Sequence, residues 1–184
     1  LYGDGRWRPG PSQDRHRQGA VAGSGRCESF ARKHADRPLE LGLYEFSVRQ
    51  GAAPCRLVLP IGAADVAAAE AAVEKMRPRG DTPIGEAMIL AKKDLNRTGF
   101  ARTHILVLTD GENTTGVDPQ RVAEAITGLP EDSRSSVYFV AFDVAESHFN
   151  AVRDAGALVL PASSGSELAQ ALDYILTGKI LAEQ

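Results

Sequence analysis

Asp110 stands at the end of an apolar run, Leu106–Gly111 (LVLTDG), with Glu112 and Asn113 next. An aspartate at the carboxyl end of a buried strand points into the crevice where open α/β sheets bind ligands. Gly111 lets the chain turn sharply behind it. The carboxylate is a hard oxygen donor suited to Mg²⁺, Mn²⁺ or Ca²⁺; its plainer use is as a loop cap that accepts from its own backbone. The second feature is Gly80–Gly85 (GDTPIG). Pro83 and Gly85 shape a loop at a helix start, and Thr82 offers a hydroxyl there, either another hard donor or an ordinary helix cap. Asp81 and Glu112 could add carboxylates beside Asp110. Asp110–Asp118 is not an EF-hand loop, since glycine is seventh rather than sixth and Arg121 takes the twelfth position. His104 and His148 have no matching nucleophile and read as structural. There is no G-x-S-x-G elbow and no phosphate-binding glycine loop. Cys27 and Cys55 make neither a metal-ligand spacing nor a disulfide framework.

Those residues need a scaffold, and the pattern from Leu39 onward supplies one. Leu41–Phe46 alternates like a strand, and Cys55–Leu59 is a second, bounded by Pro60. The hairpin-length loop between them makes the pair antiparallel. Asp65 can cap a helix through Met76, and Ile84–Leu95 carries apolar residues at helical spacing. His104–Thr109 is near-continuously apolar, as in strands buried on both faces. Pro119 opens a helix to about Gly128. Val137–Phe142 is another buried strand, 145–155 is helical, Ala157–Leu160 is a short strand, and Ser166 can cap a last helix through about Leu176. Alternation of strand and helix from residue 103 onward predicts a doubly wound, mostly parallel sheet with helices on both faces. The hairpin gives it one antiparallel edge strand.

Residues 1–38 differ. Residues 1–26 hold six glycines and no apolar periodicity, which predicts loop or disorder. Cys27–His34 could end a helix that Pro38 breaks. Eight Lys/Arg against four Asp/Glu give this arm +4 within a chain of net charge −3, so the rest is acidic at −7. With little aromatic interleaving beyond Trp7, the arm reads as a tail rather than as a nucleic-acid contact. No run of about 18 apolar residues is present to span a membrane, and no signal peptide is visible. Composition is that of one soluble globular domain.

With GDTPIG and LVLTDG about 25 residues apart, and one helix and one strand between them, residues 39–184 resemble the von Willebrand factor A (VWA) family, in a bacterial flavour. The resemblance implies a metal-ion-dependent adhesion site (MIDAS) built from three loops: Asp-x-Ser-x-Ser after the first strand, then a Thr, then an Asp within Thr-Asp-Gly. Thr82 matches the Thr and Asp110 the Asp. No Asp-x-Ser-x-Ser occurs before Leu41, and the apolar first strand that should precede it is also missing. Two explanations stand: residues 1 to about 26 are an out-of-frame reading of that loop and helix, or the terminus has diverged. The family implies a protein-binding module, not an enzyme. Its Mg²⁺, Mn²⁺ or Ca²⁺ would be completed by an acidic side chain of a protein partner, at a site left incomplete here. The alternatives are a metal-assisted hydrolase using Asp110 and Glu112, and a remnant whose sheet has a gap between the strands at Leu41 and His104.

Overall fold

The computed structural model describes residues 39–46, 53, 55–76 and 80–182. The expectations for residues 1–38, for most of the hairpin loop and for Pro78 and Arg79 lie outside the described residues.

Two strands come first, β1 (Glu40–Glu45) and β2 (Arg56–Ala63), paired antiparallel as the alternation predicts. β2 runs through Pro60 rather than stopping before it. Pro60 has no partner in a register that slips between Leu41↔Gly62 and Leu43↔Leu59, so the irregularity absorbs its missing N–H. Helix α1 (Val66–Glu74) follows, capped by Asp65, whose carboxylate accepts from Ala68 N at 3.0 Å. Helix α2 (Ile84–Thr98) outruns its expected end by three residues and stops where Gly99 turns left-handed at φ 75°, the conformation glycine adopts most cheaply past a helix end.

The rest alternates. β3 (His104–Thr109), α3 (Pro119–Thr127), β4 (Ser136–Phe142), a 3₁₀ turn (Glu146–Phe149) leading into α4 (Asn150–Asp154), β5 (Leu158–Ala162), α5 (Gly165–Ile175) and a π-helical turn that continues it (Leu176–Ile180) complete the order of the described residues. β3, β4 and β5 form a parallel sheet in that order, in unbroken register. Asp118 caps α3 by accepting from Gln120 N, with Pro119 in the first turn. Ser164, not Ser166, caps α5. Its hydroxyl accepts from Glu167 N while the Glu167 carboxylate accepts from Ser163 N. That reciprocal use of a Ser and a Glu three residues on favours the earlier serine.

Strand alternation sorts the core into two layers. Ile105, Val107, Val137, Phe139 and Ala141 face α2, α3 and α4 and pack on Ile84, Met88, Val122 and Ile126. Tyr138, Val140 and Ala162 face α5 and pack on Ala171 and Ile175. At the amino end, buried Lys92 of α2 donates to Ser133 O and Ser135 Oγ, at 2.6 and 3.0 Å, and burial lowers its pKa. The one mostly parallel sheet expected from the pattern is present in two pieces. Among the described residues, β1–β2 and β3–β4–β5 share no ladder.

Candidate functional site at the strand ends

Asp110 leaves β3 at its carboxyl end. The buried hydroxyl of Thr109 donates to Gly111 O at 2.8 Å and accepts from Gly111 N at 3.2 Å. This tight turn lifts Asp110 out of the sheet into an exposed position. Here the Thr109 hydroxyl serves the turn's backbone, and Asp110 beside it is exposed.

The loop then wraps the amino end of α2. Thr114 N donates to Thr82 O at 3.1 Å, Thr82 N donates to Thr114 Oγ1 at 2.7 Å, and Ile84 N donates to Asn113 Oδ1 at 2.8 Å. The last of these uses the Ile84 N–H, one of those that an α-helix leaves without an internal partner at its start. One turn further, Val117 N donates to Glu86 Oε1 at 2.8 Å, leaving the other oxygen of that carboxylate buried without a hydrogen bond among the described residues. Two glycines make the approach possible. A Cβ on Gly85 would lie 2.1 Å from Val117 O, and one on Gly116, at φ 76°, would lie 1.8 Å from the Glu86 carboxylate. The two motifs singled out from sequence, around Thr82 and Asp110, are thus joined loop to loop.

Not every candidate converges. His104 sits at the opposite end of β3, stacked on Tyr138 with ring centroids 6.0 Å apart. Glu112 turns to His148, whose Nδ1 contacts its Oε1. That pair spans from the Asp110 loop to the 3₁₀ turn after β4, so His148 belongs to the crevice rim. Sequence alone could have reached it only through its position just past a strand's carboxyl end. Asp143 is a second rim residue missed, held at φ 53° after β4 with its N–H on Ala162 O at 2.8 Å. Cys55 lies behind the Thr82 loop, its thiol directed at Pro83 O at 3.9 Å; burial, helped by the charge of Glu86, pushes its pKa to about 11.

Solved structures share this architecture. The SpRpn10 VWA domain matches with a TM-score of 0.58 at 15% identity, over 85% of this chain and 80% of that one. Proximal thread matrix protein 1 from the mussel byssus matches at 0.62 and 15% identity, over 87% of this chain and 42% of that one. A von Willebrand factor type A structure from Catenulispora acidiphila matches at 0.58 and 20% identity, over 72% of this chain and 32% of that one. The chain has the von Willebrand factor A fold. No protein-family model matches its sequence, and no curated protein does. One structure of the mussel protein, matching at 0.55 and 18% identity, has zinc in its MIDAS motif. In the VWA fold of this chain, Thr82 precedes α2 and Asp110 follows β3. No group of three or more His, Cys, Asp or Glu among the described residues could hold a metal ion. A Ca²⁺ ion takes six to eight oxygens and Mg²⁺ an octahedral shell, so these residues alone do not make a tight metal site.

Proposed function

We propose that this chain is a VWA-type protein-binding module whose contact surface is the crevice rim formed by residues 80–83 and 111–118, with a MIDAS reduced to Thr82 and Asp110. The observation that carries this reading is the hydrogen bonding of Thr114 and Asn113 to Thr82 and Ile84. It joins the two loops as one surface beside the exposed Asp110. The His148–Glu112 pair at this rim is the feature on which the hydrolase alternative would rest. A binding module needs only a fixed array of donors and acceptors.

Charge then dictates what the rim can hold. Asp81, Asp110, Glu112 and Asp118 are all exposed on these loops, and like charges repel a carboxylate partner. An acidic protein ligand is accepted only with a divalent cation between the two sides, and with two protein donors that cation is held weakly. The test is an array of immobilised acidic and basic peptides probed with the full chain in Mg²⁺, in Mn²⁺ and in EDTA. Acidic peptides should capture the chain in the divalent salts only, and Asp110→Ala should abolish capture. Mn²⁺-dependent phosphatase or esterase activity that disappears in Asp110→Ala would establish the hydrolase instead.

A further inference from the structure

We propose that His148 is a second carboxylate receptor at the rim and that Glu112 occupies it as an internal competitor, to be displaced by a partner presenting two neighbouring acidic side chains. The inference rests on the protein-binding reading above and adds to it a requirement on the partner and a contact that restrains binding.

The His148 Nδ1 meets Glu112 Oε1. An ionised carboxylate only accepts hydrogen bonds, so the imidazole is the donor. That donor takes its acid from the loop after β3, not from its own turn. The acid of its own turn, Glu146, is held by Arg153 at 3.2 Å, and Arg153 also donates to Asn150 Oδ1 at 3.0 Å. Arg153 is thus engaged locally, whereas His148 receives a carboxylate that comes across the rim.

Two observations make that carboxylate exchangeable. Both side chains reach solvent, His148 at 41% and Glu112 at 60% exposure, so an incoming acid has access to the imidazole. The loop also has other anchors. Asn113 is bonded to Ile84, Thr114 to Thr82 and Val117 to Glu86, so the backbone on either side stays in place when the Glu112 side chain leaves. Release costs one exposed ion pair, which contributes little, and a ligand carboxylate restores the same bond.

The position of Glu112 selects the partner. It stands two residues after Asp110, a separation of at most about 7 Å along the chain. A partner whose first acidic side chain is taken at Asp110 therefore brings a second, close by in its own sequence, to the place Glu112 now fills.

The experiment is fluorescence polarisation in Mg²⁺ with the full chain and a labelled peptide whose two glutamates are separated by a short run of alanines, beside a twin in which one glutamate is replaced by glutamine. Glu112→Ala should bind the two-glutamate peptide about two- to fivefold more tightly than the unaltered chain, the range an exposed pair supports. His148→Ala should bind it more weakly, and adding Glu112→Ala to His148→Ala should bring no gain. The twin should not respond to Glu112→Ala. A gain that persists in the His148→Ala background is plain relief of charge repulsion and overturns the proposal. Weakening by Glu112→Ala marks the pair as a structural clasp and overturns it too. Binding that needs Mg²⁺ and Asp110 but ignores both substitutions sinks this inference and leaves the binding reading standing, whereas no binding of either peptide by any of these chains sinks both.

Discussion

Thr114 is the residue on which the Thr82 and Asp110 loops meet, using both its backbone N–H and its hydroxyl. Thr114→Val keeps the shape and removes the acceptor for Thr82 N, so it should cost about 1–2 kcal/mol in chemical denaturation. Gly85→Ala should cost more, because Val117 O already occupies the space its methyl would take. Cys55 reports on the same corner. With its pKa raised from 9.0 to about 11 by burial and by Glu86, its thiolate at pH 8 is roughly a hundredfold scarcer than that of an ordinary thiol, and the thiolate is the reactive form. Peptide mapping after iodoacetamide treatment should show Cys55 modified that much more slowly in native than in unfolded chain. Glu86→Gln should speed the native reaction, since it removes the second cause of the shift. The sign follows for stability too. The folded chain holds the Cys55 proton above the unfolded pKa, so this contribution is complete below about pH 9 and fades as pH rises toward 11.

At the scale of elements, the alternating segments were plain in the sequence because period and composition agreed in each. His104–Thr109 and Val137–Phe142 are apolar runs of strand length, and Pro119 follows an aspartate that caps it. Boundaries were less legible where a local signal competed with tertiary context. Pro60 argued for a strand end, yet the irregular edge pairing of β2 accommodates it. Ser166 was the expected cap, yet the cap is Ser164, whose hydroxyl accepts from Glu167 N while the Glu167 carboxylate accepts from Ser163 N. Ser164→Ala should destabilise α5 by about 1 kcal/mol and Ser166→Ala by much less, measured by thermal denaturation. In the site, the meeting of the Thr82 loop with the loop after Asp110 was legible through motif spacing, whereas the ligand roles of the two residues rest on the family resemblance. His148 was not, because its contact with Glu112 links residues 36 apart and no local pattern encodes such a distance.

At the scale of the molecule, the two sheets, which share no ladder among the described residues, should differ in how readily they open. Among the described residues, the side chains that tie the β1–β2 hairpin to the rest include Phe46, Leu39 and Tyr44, whose hydroxyl donates to Asp94. β4 is covered on both faces and bonded on both edges. Hydrogen exchange should therefore find β4 amides the slowest and hairpin amides among the first to open. The crevice rim rests on β3 and α2, the better-held part, so it stays formed when the hairpin opens. The central claim is that this rim is an adhesion surface whose acidic ligand needs a bridging cation. Its most direct measurement is calorimetric titration of an acidic peptide into the full chain and into Asp110→Ala, each in Mg²⁺ and in EDTA. The account predicts heat of binding only for the unaltered chain in Mg²⁺; binding of equal strength in EDTA, or in Asp110→Ala, would contradict it.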